Sequence, residues 1–405
     1  MNPLLDRLQP YPFERLRKLF AGETPNTEYR PISLGIGEPK HATPEFIKQA
    51  LVAGLDGGLA TYPLTAGEPH LRDSFRRWLM TRYGLALDAN TQMLPVNGSR
   101  EALFAIAQTV VDKGVHDGVV ICPNPFYQIY EGAALLAGAT PWYAPCDPAR
   151  NFAVDWDAVP LDVWARTQLV YVCSPGNPTG AVMPLAEWKK LFELSDRHGF
   201  VIASDECYSE IYFGDEAPLG ACQAAASLGR GDFRNLVAFT SLSKRSNVPG
   251  LRSGFAFGDA RIIRKFLLYR TYHGSAMGPA VQKASIAAWD DEAHVAENRQ
   301  LYREKFAQVT PLLASVLDVK LPDAGFYLWA GVPDLQGGSG AASDTEFARA
   351  LYAQYNVTVL PGSYLARETG GVNPGAGRIR MALVADTAEC VEAAHRIAEF
   401  VNKGR

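Results

Sequence analysis

The chain has 405 residues, of which 47% are hydrophobic and 20% are charged, and its formal net charge is −4. This balance is typical of a globular protein with a sizeable core, and the length allows two or three domains. The lack of a basic excess argues against nucleic acid or a membrane as a partner.

Targeting signals and metal-binding patterns are also missing from the sequence. No apolar run reaches the ~18 residues of a spanning helix, and residues 1–10 lack a signal-peptide pattern. The six cysteines form no CxxC pair, and the seven histidines show no metal-ligand spacing. We therefore expect a cytoplasmic protein with free thiols and no metal site.

The middle of the chain alternates short apolar runs with helical patterns. The predicted strands are Gly118–Cys122, Gln168–Cys173, Val201–Ser204 and Leu236–Ser241, and the predicted helices include Ser99–Val111 and Leu185–His198. Strands that alternate with helices predict an α/β fold, with a mainly parallel sheet covered on both faces.

The C-terminal part has a different pattern. It contains a long amphipathic helix over Asp291–Leu317, a stretch of small residues over Gly337–Ser343 that predicts a surface loop, strands over Phe326–Ala330, Val357–Leu360 and Arg378–Val384, and a last helix from about Thr387. We expect a large domain over residues 41–290, a smaller α+β domain over residues 291–405, and an N-terminal segment over residues 1–40 that packs on the small domain and on a partner subunit.

Polar residues follow three of the predicted strands, at the sheet edge where reactive groups of such folds gather. Ser174–Gly180 follows the second strand, Asp205–Tyr208 the third, and Ser241–Lys244 the fourth, with Arg252 shortly after. Taken singly, these are ordinary turns, caps and surface charges. Taken together, they supply a lysine amine, a carboxylate and anion-binding donors, which is what a site for pyridoxal 5′-phosphate (PLP) needs.

Eight short motifs carry a more specific signal. They are Leu34–Pro39; Thr61–Pro63 with Gly67 and Leu71–Arg72; Asn97–Glu101; Pro125–Tyr127; Ser174–Gly180; Asp205–Tyr208; Ser241–Lys244; and Arg378–Arg380. With these motifs in this order, the chain resembles the class I/II aminotransferases of fold type I over nearly its whole length. The resemblance implies the aspartate aminotransferase-like fold, PLP as cofactor, amino acids and 2-oxo acids as substrates, and a homodimer with shared active sites.

The resemblance also implies the residues that perform the chemistry. Lys244 is expected to hold the cofactor through a Schiff base and to move protons in a ping-pong transfer. Asp205 is expected to pair with the pyridine nitrogen, and Tyr208 and Asn177 to face the phenolate oxygen of the ring. Tyr127 is expected to stack on the ring.

Further residues are implied to bind the phosphate of the cofactor. They are Ser241, Ser243, Arg252, the helix start at Ser99 and Arg100, and Tyr62 of the partner subunit. A role in the protein core is the alternative for this tyrosine.

The substrate α-carboxylate is expected to bind Arg380, beside Asn177 and the backbone at Gly37. Arg378 is an alternative, because two residues along a strand point to the same face, and Gly35 is an alternative to Gly37.

Three stretches point to a substrate. These stretches resemble the bacterial N-succinyldiaminopimelate aminotransferases of lysine and diaminopimelate biosynthesis, and they are Pro10–Leu16, Gly35–His41 and Lys244–Phe255. The implied reaction exchanges an amino group between N-succinyl-LL-2,6-diaminopimelate and 2-oxoglutarate. A second cation is then needed for the distal carboxylate, and Arg100, Lys40 and Arg245 are open candidates.

Alternatives share the same core residues. An aspartate or broad-specificity class I aminotransferase, or a PLP-dependent C–S lyase, would also use Lys244 and Asp205. A non-catalytic regulator built on this fold is a more distant alternative, because such proteins carry a DNA-binding module before the fold, and we expect the fold to begin by about Pro10.

Overall fold

The computed structural model describes residues 1–334 and 343–404. The predicted surface loop over Gly337–Ser343 therefore lies outside the described residues, except for Ser343. The helices are α1 (Pro12–Leu19), α2 (Glu45–Ala53), α3 (Leu55–Gly58), α4 (Pro69–Tyr83), α5 (Ser99–Val110), α6 (Ile129–Leu136), α7 (Leu161–Arg166), α8 (Leu185–His198), α9 (Ala221–Ser227), α10 (Leu242–Arg245), α11 (Ala260–His273), α12 (Pro279–Trp289), α13 (Ala293–Ala314), α14 (Asp344–Tyr355) and α15 (Thr387–Gly404).

The strands form three sheets. They are β1 (Ile32–Ser33), β2 (Met93–Val96), β3 (Val119–Asn124), β4 (Thr140–Asp147), β5 (Ala153–Val154), β6 (Thr167–Cys173), β7 (Val201–Asp205), β8 (Leu236–Ser241), β9 (Gly254–Gly258), β10 (Tyr327–Gly331), β11 (Val357–Thr358), β12 (Leu360–Pro361) and β13 (Arg378–Ala382).

The largest sheet has the strand order β2-β9-β8-β7-β6-β3-β4-β5. Its five central strands, β8 to β4 in this order, are parallel to one another, while β2, β9 and β5 pair antiparallel at the two edges. The predicted mainly parallel sheet is thus confirmed, with antiparallel edges in addition.

Alternation along each strand explains why helices cover both faces of this sheet. In β6, Val170 and Val172 pack into one core, whereas Leu169 and Tyr171 pack into another. Helices α4, α8, α9 and α12 contribute to the first core, and helices α5, α6 and α11 to the second. Successive side chains of a strand point to opposite faces, and each fully buried large apolar side chain contributes about 1.5–3 kcal/mol.

A further core lies around the antiparallel sheet β10-β13-β12, where α13, α14 and α15 bury their apolar faces. The N-terminal segment contributes to this core, because β1 pairs in parallel with β11 and buries Ile32. The predicted strand over Val357–Leu360 proves to be two strands. Residues 357–358 pair with β1, whereas residues 360–361 pair with β13.

No helix within residues 1–334 and 343–404 is both long and apolar enough to cross a membrane.

Candidate active site

A cavity of about 540 Å³ opens at the carboxyl ends of the parallel strands. Strands β6, β7 and β8 are neighbours and end at Cys173, Asp205 and Ser241. The predicted site residues that line this cavity are Gly37, Ser99, Arg100, Tyr127, Asn177, Asp205, Tyr208, Ser241, Ser243, Lys244, Arg252 and Arg380. Tyr62 lies elsewhere and is fully exposed on this chain.

Asp205 is the buried acid of the cavity. It is 4% exposed, and its carboxylate accepts hydrogen bonds from the Tyr130 hydroxyl at 2.8 Å and from the Cys207 backbone N–H at 3.3 Å. Burial raises the pKa of Asp205 above its ordinary value, although hydrogen bonds from Cys207 and Tyr130 oppose the shift. The carboxylate has no ion-pair partner within the described part of the chain, so its environment favours a cation brought by a ligand.

Lys244 lies in α10, immediately after β8. Its Nζ donates to the Gly37 carbonyl oxygen at 2.7 Å and lies 5.2 Å from the centre of the Phe326 ring. Burial lowers the pKa of Lys244 to about 8, and the nearby Arg380 and Arg252 act in the same direction. The uncharged form of this amine, which is the form that attacks a carbonyl, is therefore far more populated near neutral pH than in an ordinary lysine.

The start of α5 forms one wall of the cavity. Gly98 precedes the helix with φ 83° and ψ 154°, and α5 has no side-chain cap among the described residues. A Cβ on Gly98 would overlap the Arg252 guanidinium, so this cation lies directly against the helix start. The uncapped N–H groups, the helix dipole and Arg252 together make an anion-binding site.

Two serines continue this wall. The Ser241 hydroxyl caps α10 by accepting from the Ser243 N–H at 3.1 Å, and it bonds to the Ser243 hydroxyl at 2.9 Å. Ser99 Oγ lies 2.8 Å from Cys207 Sγ. These hydroxyls can redirect their protons towards a phosphate oxygen at little cost.

Arg380 forms the opposite wall and is 4% exposed. Its guanidinium donates to Asn177 Oδ1 at 3.0 Å and to the Gly35 carbonyl oxygen at 2.8 Å, and it lies 4.3 Å from the centre of the Tyr327 ring. Its Nε is buried and lacks a hydrogen-bond partner among the residues described. Gly37 has to be small, because a Cβ there would overlap the Tyr327 hydroxyl.

Tyrosines line the cavity between these walls. Tyr208 Oη lies 3.1 Å from Tyr327 Oη, and the Tyr127 hydroxyl accepts from Arg100 Nε at 2.6 Å. Arg100 also donates to the Tyr11 hydroxyl at 3.3 Å, so the N-terminal segment closes this side.

The alternative cations lie outside the cavity. Arg378 points to Asp318, at 3.6 Å, and to the Phe152 ring. Lys40 pairs with Glu389. Arg245 is 1% exposed and donates to the Ala288 carbonyl oxygen and to Glu292, so it holds α10 against α12 and the start of α13.

Sequence reasoning missed Tyr130, Tyr327, Tyr11 and Cys207. Tyr130 holds Asp205 from α6, and its buried position in that helix has the pattern of an ordinary core residue. Tyr327 lies in a buried strand and has the pattern of an ordinary core residue. For these residues, the contacts arise only from tertiary packing.

A partly buried lysine and a buried acid at the carboxyl edge of an α/β sheet, next to an anion site, define an enzyme that transfers groups by means of a phosphorylated cofactor. The sequence matches the family "Aminotransferase class I and II" over residues 29–397. The chain therefore belongs to the class I and II aminotransferases, which depend on PLP.

Curated relatives agree over the whole chain. An LL-diaminopimelate aminotransferase of Dehalococcoides mccartyi is 32% identical over 403 residues, which are 99% of this chain and 98% of that protein. A protein of the same name from Aquifex aeolicus is 32% identical over 369 residues, 90% of each chain.

Solved structures share the fold. An aminotransferase from Neisseria meningitidis is 54% identical, with a TM-score of 0.94 over 99% of this chain and 100% of that chain. A probable N-succinyldiaminopimelate aminotransferase from Thermus thermophilus is 26% identical, with a TM-score of 0.84 over 96% of this chain and 99% of that chain.

The residues of the cavity fit PLP. The unpaired Asp205 carboxylate suits a protonated ring nitrogen, and the uncapped start of α5 with Arg252 suits a phosphate. The Lys244 amine, with its lowered pKa, suits an aldehyde.

Proposed function

We propose that this aminotransferase holds PLP on Lys244 and uses the same lysine to move a proton at the substrate α-carbon. The observation that carries the proposal is the Lys244 amine, whose pKa is about 8, in one cavity with the buried Asp205. The cofactor, when bound, supplies an electron sink for the bonding electrons of the α-carbon. Asp205 keeps a proton on the ring nitrogen, and Tyr130 fixes the direction of its carboxylate.

The remaining cofactor contacts follow from the walls of the cavity. The N–H groups of Ser99 and Arg100, the hydroxyls of Ser241 and Ser243, and Arg252 hold the phosphate. Tyr208 and Asn177 face the phenolate oxygen of the cofactor ring, and Tyr127 stacks on this ring.

Arg380 binds the substrate α-carboxylate. Two of its nitrogens are held by Asn177 and the Gly35 carbonyl oxygen, which fixes the guanidinium plane and leaves the unpartnered Nε for the substrate. The Gly37 backbone lies next to this position.

We infer that Arg100 binds a distal substrate carboxylate. The cations among the described lining residues are Arg100, Lys244, Arg252 and Arg380. Lys244, Arg252 and Arg380 already bind the cofactor or the α-carboxylate in our proposal. Lys40 and Arg245 lie outside the cavity. Arg100 is held by two tyrosine hydroxyls, Tyr127 and Tyr11, at the side of the cavity that the N-terminal segment closes.

The first substrate candidate is N-succinyl-LL-2,6-diaminopimelate, with 2-oxoglutarate as amino acceptor. Its far end carries two carboxylates and an amide in place of a free amine, which suits a cation such as Arg100. Glutamate also carries a distal carboxylate, so one cation serves both half-reactions. Likeness to the Thermus thermophilus protein supports this candidate.

Unsuccinylated LL-diaminopimelate is the second candidate, because the curated relatives at 32% identity carry that name. Its distal ammonium needs an acidic partner. The acids among the described lining residues are Glu38 and Asp205, and Asp205 already serves the cofactor in our proposal.

Measuring glutamate formation from 2-oxoglutarate with each amino donor separates the candidates. We expect kcat/KM for the succinylated donor to exceed that for LL-diaminopimelate and for aspartate by at least about tenfold, since lost contacts at a buried polar site are costly. A preference for LL-diaminopimelate would overturn the first candidate in favour of the second. Release of pyruvate and ammonia without a 2-oxo acid would indicate a C–S lyase.

We further propose a homodimer in which Tyr62 of the partner subunit completes the phosphate site. The full exposure of this tyrosine on the single chain supports that arrangement.

A further inference from the structure

Lys305 is a buried cation outside the active-site cavity. It lies on α13, is 1% exposed, and donates to the Leu383 carbonyl oxygen at 3.0 Å. Leu383 directly follows β13, the strand that carries Arg380. Burial lowers the pKa of Lys305 to about 8. Burying a cation in the protein interior costs free energy, so a buried lysine at this position indicates a specific structural or functional role.

The second partner of Lys305 is His41, whose Nε2 lies 2.9 Å from Nζ. His41 and Gly37 both lie in the loop between β1 and α2, here called the Gly37 loop, so Lys305 joins this loop to the end of β13. An ammonium group only donates, so Nε2 has to accept, and the proton of a neutral His41 sits on Nδ1.

Asn298 completes the connection. His41 Nδ1 lies 2.9 Å from Asn298 Oδ1, and Asn298 Nδ2 donates to the Lys244 carbonyl oxygen at 3.2 Å. Both contacts agree with the inferred proton position, because the amide oxygen accepts from His41 while the amide nitrogen donates. Asn247 also donates to the Asn298 amide oxygen, at 2.9 Å.

A column of aromatic rings runs beside the hydrogen bonds. The Tyr302 ring lies 4.7 Å from the His41 ring and 4.8 Å from Lys305 Nζ. Tyr302 stacks on Phe326, which faces the Lys244 amine. The hydrogen bonds and the stacked rings thus both lead to Lys244.

We propose that Lys305, His41 and Asn298 form a positioning unit that fixes the Gly37 loop, the Lys244 segment and the end of the Arg380 strand relative to one another. The three residues do not line the cavity, so they act through the residues that they hold. The proposal rests on the aminotransferase activity. Every variant below is compared with the wild-type enzyme, so an inactive wild-type enzyme would contradict the proposed function, whereas a changed pattern among the variants would contradict the positioning unit.

The unit is sensitive to pH. Burial lowers the pKa of His41, the Lys305 charge adds to this, and the Asn298 bond opposes it. Below that pKa, Nε2 gains a proton and faces the ammonium as a second donor. The other charged groups around Lys305 are Asp386 and Lys40, with the thiol of Cys390.

Three variants test the unit. We expect Lys305→Met and His41→Phe to lower kcat/KM for glutamate by about tenfold to a hundredfold, with a lower kcat and a higher KM, because small displacements of reacting groups are costly. His41→Gln should recover most of this loss, because its amide offers an oxygen to Lys305 and an N–H to Asn298. The rate of backbone amide hydrogen exchange over residues 34–41 should increase in Lys305→Met and His41→Phe.

Arg396→Met is the matched control. Arg396 is also a buried cation that donates to backbone carbonyls, those of Arg30 and Tyr355, in the same part of the molecule. It should lose thermal stability while kcat and KM stay within about twofold of the wild type.

The pH profile adds a separate criterion. His41→Gln cannot titrate, so it should lack the acidic fall in kcat/KM that we expect for the wild type, which should occur at a lower pH than the ordinary histidine pKa because burial lowers the pKa of His41. The proposal would be overturned if Lys305→Met or His41→Phe behaved like the control, or if His41→Gln kept the same acidic fall. Should Lys305→Met fail to fold, the two His41 variants decide.

Discussion

Lys244 shows how the environment of a single residue sets its reactivity. Burial lowers its pKa from an ordinary 10.5 to about 8, and this effect outweighs Cys207 and Glu38, which favour the charged amine. Because a lysine amine attacks only when uncharged, the reactive fraction grows as pH rises through the folded pKa.

Attachment of PLP to the cofactor-free protein should therefore depend on pH. We expect the initial rate, followed by the absorbance of the attached cofactor, to rise up to about pH 8 and then to level off, since the pKa of Lys244 is about 8. A rate that continues to rise towards pH 10.5, the ordinary lysine value, would contradict the lowered pKa. Lys244→Arg should give no attachment at any pH.

Arg380 and Arg378 provide a matched pair on one strand. Arg380→Ala should raise KM for glutamate by about tenfold or more, since it removes a buried charge-assisted hydrogen bond. Arg378→Ala should leave KM within about twofold, because its side chain contacts Asp318 and Phe152 outside the cavity. Steady-state kinetics of both variants test this, and equal effects would refute the assignment.

At the scale of single residues, the sequence predicted the site residues that follow strands but not the residues that hold these side chains in place. Asp205 stands out because a charge directly follows a buried apolar run, and Lys244 stands out because a charge lies shortly beyond the end of such a run. Tyr130 and Tyr327 do not, because a tyrosine in a helix or a buried strand has the pattern of a core residue. The roles assigned to the cavity residues stay predictions until variants are measured.

The start of α5 is the element on which phosphate binding depends most. The Gly98 conformation, φ 83° and ψ 154°, is one that essentially only glycine adopts. Gly98→Ala should lower the free energy of unfolding by about 1–3 kcal/mol and should also weaken PLP binding, because Arg252 has to move away.

Gly199→Ala is the control for this variant. Gly199 ends α8 with φ 81° and has no heavy atom within 4 Å of an added Cβ. Denaturation and PLP titration of both variants should show a stability loss in each, but a weaker cofactor affinity only in Gly98→Ala. Unchanged PLP affinity in Gly98→Ala would contradict the account.

Elements with strong apolar patterns were predicted well. Helix α8 and strand β8 have their predicted bounds, because periodic apolar residues define them. Strands β2 and β9 were missed, since Pro95 interrupts one and glycine begins and ends the other. The division at Val359 was also missed, because pairing partners, not local pattern, decide which sheet each half joins.

At the scale of the whole molecule, the cavity lies where the eight-stranded sheet, the β13 strand and the N-terminal segment meet. The eight motifs predicted this convergence through resemblance, while composition alone indicated only a globular protein. The domain limits at residues 40 and 290 and the cytoplasmic location stay predictions.

The shared active site can be tested with mixed dimers. If Tyr62 of the partner subunit serves each site, Tyr62→Ala and Lys244→Ala should each be poorly active alone. Their co-refolded mixture should recover about a quarter of wild-type activity, because half of the dimers are hybrids with one intact site of two. No recovery in verified hybrids would argue for a tyrosine that acts within its own chain.

The most direct test of the central claim is the absorption spectrum of the PLP-loaded enzyme before and after glutamate is added without a 2-oxo acid. We predict a visible band that converts to the shorter-wavelength pyridoxamine form in the wild type, and no conversion in Lys244→Ala. A wild-type spectrum that glutamate leaves unchanged, or full turnover by Lys244→Ala, would contradict the account.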